Sequence, residues 1–311
     1  MRIVFLGTPD AAVPALEALL AADDVELPAV ITNPDRARGR SGRPSAPPVK
    51  VAAREAGVPV WQPVKPREVV DELRTLEVDA CAVVAYGALL PAEVLAAGGR
   101  GMVNLHFSLL PRWRGAAPVQ HAIRAGDTTT GVTTFVLDEG MDTGPVLATD
   151  EVEIGPRESA GELLERLARR GAPLLLDSLR AFVAGATPTP QPEDGAILAP
   201  KITPDDVAID PSRPAEVVDR LVRSADPSPG AHARFRGRRL KVFAAVPVDG
   251  DGPPGTVLRS DPAGVVVACG RGAVRLEQVQ PEGKARMSGA AFANGYRPEP
   301  GERLERSDSG R

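Results

Sequence analysis

The feature that most constrains this chain is the run Asp79-Ala80-Cys81-Ala82-Val83-Val84-Ala85-Tyr86, which is apolar at successive rather than alternate positions. Neighbouring side chains on a strand point to opposite faces, so a strand built from this run has to be covered above and below. Central strands of parallel sheets, with helices on both sides, meet that condition. The flanking sequence supplies the other elements. Arg2 to Leu6 is a short apolar run ending in Gly7-Thr8-Pro9-Asp10, and Val13–Ala22 sets Val13, Leu16, Leu19 and Leu20 on one helical face. A strand over Val25–Thr32 stops at Asn33-Pro34-Asp35. The pattern predicts helices over Val49–Ala56, Glu68–Leu76, Pro91–Ala97 and Ala117–Arg124, strands over Gly101–His106 and Gly131–Leu137, and a long helix over Glu158–Phe182. Strand and helix in alternation with short links predict an α/β chain with a Rossmann-like, doubly wound, mostly parallel sheet.

After a Pro/Gly/Thr-rich stretch, Gly185–Pro204, the chain changes character. One helix over Pro214–Arg223 is followed by short strand runs at Arg239–Ala245, Gly255–Leu258, Gly264–Ala268 and Ala273–Val279, with turn signals about every ten residues, which predicts a small β-barrel. The expected division is a catalytic domain over 1–189, a linker over 190–205 and a second domain over 206–311. Charge divides the same way: residues 1–205 carry a balance of −7 and residues 206–311 a balance of +3, within a net −4. A basic excess in the smaller part points to a polyanionic partner. No run approaches the roughly 18 apolar residues of a membrane span, and the N-terminus lacks the apolar core of a signal peptide. Cys81 and Cys269, far apart in apolar surroundings, are expected to be buried reduced thiols of a cytoplasmic chain, with no metal site. No exposed apolar stripe is evident, so a monomer is expected.

The segment that carries chemistry is Gly101-Met102-Val103-Asn104-Leu105-His106. On a strand Asn104 and His106 share a face, at the carboxyl end where open α/β sheets place ligands. An amide and an imidazole aimed at one point can hold a developing oxyanion and move a proton. Taken as an isolated pair, they read more readily as a turn cap and an ordinary satisfied polar residue. The loop that follows, Phe107 to Gly115, combines apolar residues, Pro111 and the cations Arg112 and Arg114, a mixture suited to a flat organic ring with a charged tail. Asp138-Glu139-Gly140-Met141-Asp142-Thr143-Gly144 directly follows a strand and is either an active-site loop, with Asp142 orienting His106, or a solvated acidic turn. A dinucleotide-binding reading of Gly7-Thr8-Pro9 fails, because the further glycines of such a turn are missing. A run of arginines is more often simply solvated, but the loop bearing Arg36, Arg38, Arg40 and Arg43 has the charge to grip a phosphate backbone. So has the tail segment with Arg234, Arg236, Arg238, Arg239 and Lys241.

Together these motifs are recognisable. Phe5-Leu6-Gly7-Thr8-Pro9-Asp10, Asn33-Pro34-Asp35-Arg36, Pro48-Val49-Lys50, Val84-Ala85-Tyr86-Gly87, Asn104-Leu105-His106, Ser108-Leu109-Leu110-Pro111-Arg112-Trp113-Arg114-Gly115-Ala116-Ala117-Pro118, Gly140-Met141-Asp142-Thr143-Gly144 and Pro281-Glu282-Gly283-Lys284 resemble those of the folate-dependent formyltransferases. Within them the chain resembles the methionyl-tRNA formyltransferase family nearly end to end. The resemblance implies a formyltransferase fold followed by an OB-like barrel. It implies transfer of a formyl group from 10-formyltetrahydrofolate to the α-amine of methionine on initiator tRNA, for translation initiation. Asn104, His106 and Asp142 would be catalytic, and Ser108, Leu109, Leu110, Pro111, Tyr86 and Gly87 would meet the folate. Arg36, Arg38, Arg40, Arg43, Arg234, Arg236, Arg238 and Lys241 would meet the tRNA, Arg40 standing at the position that enters the acceptor region. The sequence departs from the family pattern at Phe107, Ala11 and Pro211, outside the catalytic trio. Two rival readings are a folate formyltransferase acting on a small amine and a noncatalytic RNA-binding protein.

Overall fold

A computed structural model describes residues 1–37 and 44–307. The strands of the first part of the chain are β1 (Ile3–Gly7), β2 (Val30–Ile31), β3 (Arg36–Ala37), β4 (Pro44–Ser45), β5 (Val60–Trp61), β6 (Ala80–Val84), β7 (Met102–His106), β8 (Thr129–Val136) and β9 (Val146–Glu153). The helices are α1 (Val13–Leu20), α2 (Pro48–Glu55), α3 (Val70–Thr75), α4 (Ala92–Leu95), α5 (Pro118–Ala125) and α6 (Ala160–Val183). Packing divides the chain into two units. The first comprises Met1–Pro118, Thr129–Glu153 and Leu164–Ala199, and the second Val119–Thr128, Ile154–Leu163 and Pro200–Arg311.

The first unit is built on a seven-stranded sheet in the order β5-β2-β1-β6-β7-β8-β9. Strands β1 and β6 are buried at every position, which is the two-sided burial expected of an unbroken apolar run. The sheet is parallel from β5 to β7, while β8 and β9 run antiparallel. Strand β9 was not expected from the sequence. Its alternating polar residues and half-exposed edge position give it little apolar signal, and the short Asp138–Pro145 return after β8 makes a hairpin partner of it. The residues between Val25 and Thr32 form only the two-residue strand β2, with Glu26 making an isolated bridge to Arg2. Strands β3 and β4 form a separate short ribbon at the base of the arginine-rich loop.

Strand β7 matters most for the site, and its rear face is held by α6. A side chain at Gly171 would place its Cβ 2.8 Å from two atoms of Leu105, so only glycine lets the helix approach this closely. Thr134 of β8 and Ser178 of α6 share a hydrogen bond of 2.7 Å beside that contact. Residues 190–199, within the stretch expected as a linker, are stitched into this unit. The Arg114 amide donates to Ile197, and the Ala199 and Ala117 amides exchange bonds with Arg114 and Ala199 carbonyls.

The second unit contains α7 (Ala215–Ala225), β10 (Ala231–Phe235), β11 (Arg238–Val248), β12 (Val257–Asp261), β13 (Gly264–Ala268), β14 (Ala273–Pro281), β15 (Met287–Ser288), α8 (Gly289–Tyr296) and β16 (Leu304–Arg306). The sheet order is β12-β13-β14-β11-β10-β16, with β15 pairing β14, all antiparallel. Its two edges are joined by hydrogen bonds from Val257 to Glu302 and from Leu304 to Gly255, curling the sheet into an OB-like barrel. The core holds Val218, Val222, Leu240, Val242, Val265 and Phe292. Asp219 of α7, 5% exposed, is gripped at 2.9 Å by both Arg157 and Arg223, which also bond the Ala245 and Glu158 carbonyls. Among the described residues no helix is long and apolar enough to cross a membrane.

Candidate active site

The carboxyl end of β7 opens on a cleft of about 1100 Å³ in the first unit, whose lining includes Tyr86, Gly87, Asn104, His106, Phe107 and Asp142. The three residues singled out as a catalytic trio therefore face one cavity. Asn104 is half-buried and its amide makes no side-chain hydrogen bond among the described residues, so its donors remain available to the cleft.

His106 is 6% exposed and packs edge-to-face on Phe135, ring centres 6.4 Å apart. Its Nε2 lies 2.9 Å from the backbone carbonyl of Trp113. A carbonyl can only accept, so Nε2 carries the hydrogen and the lone pair of the neutral ring sits on Nδ1. Trp113 adopts a left-handed backbone (φ +64°), and the Arg112 guanidinium lies 4.6 Å over its indole. Burial pushes the imidazole below the ordinary histidine value of 6.5, against the opposing pull of Asp142 and the Trp113 carbonyl. That shift favours the neutral ring in the free site.

Asp142 is reached through a folded loop. Its Oδ2 accepts the Gly115 N–H at 2.8 Å and lies 3.7 Å from His106 Nδ1. Gly115 has φ +121°, and a Cβ there would stand 2.7 Å from the Ala199 carbonyl oxygen, so the donor position requires glycine. Asp138, also in the acidic loop, accepts from the Gly140 amide and the Thr143 hydroxyl at 3.0 and 2.7 Å. It braces the turn on which Asp142 is held at φ +54°.

One residue of this site escaped the sequence reading. Gln191 donates from Nε2 to the carbonyls of Asp142 (2.9 Å) and Gly144 (2.8 Å), and its Oε1 accepts Arg114 Nε and Nη2 at 3.0 and 2.6 Å. It lies between Pro190 and Pro192 in an aperiodic stretch, and a lone polar residue there gives no signal beyond its flanking prolines.

Ser108, Leu109, Leu110 and Pro111 leave β7 just after His106, yet do not line this cleft. Ser108 is fully buried and its hydroxyl donates to the Arg112 carbonyl at 2.6 Å. Thr133 ties the turn to β8, donating to the Ser108 carbonyl at 2.7 Å and accepting the Leu110 amide at 3.1 Å. Tyr86 and Gly87 do reach the cleft, and the Tyr86 carbonyl accepts from Thr8 and Asn33. The Gly-Thr-Pro and Asn-Pro-Asp motifs thus brace a rim of the site. Lys50, buried, closes on both oxygens of Asp35 at 2.6 and 2.8 Å, and holds that carboxyl below its usual range.

The expected nucleic-acid contacts divide. Arg36 is exposed on β3, whereas Arg38, Arg40 and Arg43 lie outside the described residues. On β10 and β11 the register sets Arg234 opposite Arg239 and His232 opposite Lys241, so these four share one face. Arg236 does not join them. It sits in the hairpin turn over the Phe235 ring, with two 2.7 Å bonds to Glu302, whose carboxyl it holds down to about 2. Arg238 is opposite Phe235 and therefore points to the other side of the hairpin from Arg239. On the shared face Arg234 and Arg239 are exposed and Lys241 is half-buried. Lys241 donates to the Pro229 carbonyl at 2.7 Å, and its ammonium is pushed down by burial and by Arg239.

The family model described as formyl transferase matches residues 1–179, and that of the formyl transferase C-terminal domain matches residues 201–297. The methionyl-tRNA formyltransferase of Streptomyces griseus is 50% identical over 309 residues, covering 98% of this chain and 99% of its own. Among solved structures, HypX from Aquifex aeolicus in complex with tetrahydrofolic acid superposes with a TM-score of 0.67 at 22% identity, over 95% of this chain and 47% of that one. The N-formyltransferase from Helicobacter canadensis, in complex with folinic acid and dTDP-3-aminofucose, gives 0.68 at 16% identity, over 89% of this chain and 99% of that one.

Proposed function

We propose that this chain, which belongs to the methionyl-tRNA formyltransferase family, transfers the formyl group of 10-formyltetrahydrofolate to the α-amine of methionine on initiator tRNA, using Asn104, His106 and Asp142. The observation that carries the assignment of residues is the convergence of these three side chains on one cleft. The imidazole there is held in a single tautomer, with a carboxylate 3.7 Å from its free nitrogen.

The neutral amine attacks the formyl carbon, and a C–N bond forms as the carbonyl oxygen becomes an oxyanion. Neutral His106 takes the proton the amine sheds. Because Nε2–H is committed to Trp113, that proton arrives at Nδ1, beside Asp142. The imidazolium so formed is the charged state that burial alone would disfavour, and Asp142 offsets that cost. The Asn104 amide and the new Nδ1–H hold the oxyanion. The Nδ1 proton then passes to N10 of the folate as the old C–N bond breaks, and the proton balance closes with neutral His106. Positioning and electrostatic stabilisation are the two contributions asked of the protein.

The donor occupies the cleft against Tyr86 and Gly87, while the Ser108–Pro111 turn, outside the lining, supports the cleft through its bonds to Thr133 of β8. Residues 1–189 carry the chemistry, and residues 206–311 bind the acceptor through Arg234, Arg239 and Lys241, with the 36–43 loop as a second contact. The protein works as a cytoplasmic monomer. A formyl-transfer assay with 10-formyltetrahydrofolate tests this on charged initiator tRNA, charged elongator tRNA and free methionine. Formylation confined to the initiator is the expected result. Transfer only to small amines would overturn the acceptor while keeping the donor.

A further inference from the structure

We infer that Gln191 is a positioning residue for catalysis: its side-chain amide fixes the main chain at Asp142 and thereby the carboxylate opposite His106. The inference rests on the proposed roles of His106 and Asp142. Asp142 sits on a left-handed backbone in a loop with two glycines, a conformation that a side chain adopts only when its surroundings enforce it. Three constraints do so. Asp138 ties the front of the turn, the Gly115 amide holds Oδ2, and Gln191 spans the rear by donating to the Asp142 and Gly144 carbonyls together.

Only the third comes from outside the two catalytic loops. Gln191 is itself fixed at both ends. Thr189, two residues earlier, exchanges backbone hydrogen bonds of 2.8 and 2.7 Å with Val146, just beyond the acidic loop. On the other side Arg114 clasps Oε1 with two donors, which sets the amide so that both Nε2 hydrogens face the loop carbonyls. Arg114 adjoins Gly115, whose amide holds Asp142 Oδ2. One glutamine thus locks the loop that carries the carboxylate to the loop that receives it. A 1 Å error in such a pair costs far more rate than binding.

The decisive variant is Gln191→Met, which keeps the length of the side chain, adds no charge and removes every one of these bonds. Expected are a 10- to 100-fold fall in kcat, KM values for folate donor and tRNA within threefold of wild type, and an acid limb of kcat/KM displaced to lower pH. The limb moves because Asp142, the charged group against the imidazole, is no longer held where it supports protonated His106. Gln191→Glu, which retains an acceptor for Arg114 but presents oxygens to both carbonyls, is expected to lose kcat as well. It serves if Gln191→Met does not fold. An unchanged kcat, or a lower kcat with an unmoved acid limb, would overturn the inference. Asp142→Asn run in parallel separates the two levels. If it stays active, the assignment of the trio fails. If it is inactive while the Gln191 variants behave as wild type, only the role of Gln191 fails.

Discussion

Replacing Asp142 by Asn changes one atom and removes one charge, so its effect can be worked from the geometry. The carboxylate oxygen lies 3.7 Å from His106 Nδ1, and the Asp142 side chain is 18% exposed against 7% for His106. Through an effective dielectric of about 20, unit charges at that distance attract by about 4.5 kcal/mol, against about 1 kcal/mol in bulk water. A pair this enclosed lies nearer the first figure, and an amide dipole recovers part of the loss. A net penalty of about 3 kcal/mol on the imidazolium corresponds to a fall of roughly 10² to 10³ in kcat. The Asn oxygen can still accept from the Gly115 amide, so the loop should keep its shape and both KM values should stay within about threefold. The assay is initial-rate formylation of charged initiator tRNA from pH 5 to 9, resolved on acid gels. The acid limb should move to lower pH, because burial then acts on His106 without the carboxylate that opposes it. A kcat within fivefold of wild type would refute the proposal that Asp142 stabilises a charge developing on His106.

Three further outcomes follow from the same contacts. Arg239→Ala should weaken tRNA binding and lower the slope of log affinity against log salt by about one, whereas Arg236→Ala, which loses Glu302 instead of a phosphate, should lower thermal stability and leave that slope unchanged. Equal slopes in filter-binding titrations of the two variants would count against the division of the hairpin. Asp219→Ala leaves Arg157 and Arg223 facing each other without their carboxylate and should cost about 3 kcal/mol, read as a lower melting temperature of the second unit. Acidification should destabilise the chain before its carboxylates titrate. His106 and His232 are both pushed below 6.5 by burial, so the unfolded chain binds protons that the folded chain refuses. Stability is then flat above about pH 7 and falls as pH drops below 6.5, and identical melting temperatures at pH 7.5 and 5.5 would contradict this.

The basic hairpin shows why some of the site was not legible beforehand. Composition located the cations of 234–241, but which of them share a face depends on register, and register is set by the Arg236–Gly237 turn and by pairing with the neighbouring strands. Arg239, named with its neighbours on composition but absent from the contacts the resemblance implies, is set beside Arg234 on the exposed face only through that pairing. Gln191 is the stronger case. No periodicity or motif distinguishes it, since its partners, Arg114, Asp142 and Gly144, are brought to it from 47 to 77 positions away.

What the sequence determined by itself is whatever rests on local geometry. The apolar runs of β1 and β6 could be satisfied only inside a covered sheet. The strand period put Asn104 and His106 on one face at the carboxyl end of β7, and the glycines around Asp142 marked a loop that bends sharply. Tertiary structure alone decided the properties that depend on what surrounds a group. Burial favoured neutral His106, the Trp113 carbonyl placed its lone pair on Nδ1, the Gly115 amide and Gln191 fixed the carboxylate opposite it, and the antiparallel β8–β9 hairpin carried that carboxylate to the mouth of the sheet. Desolvation and long-range hydrogen bonds are set by atoms distant in the chain, and a pattern read along the chain does not contain them.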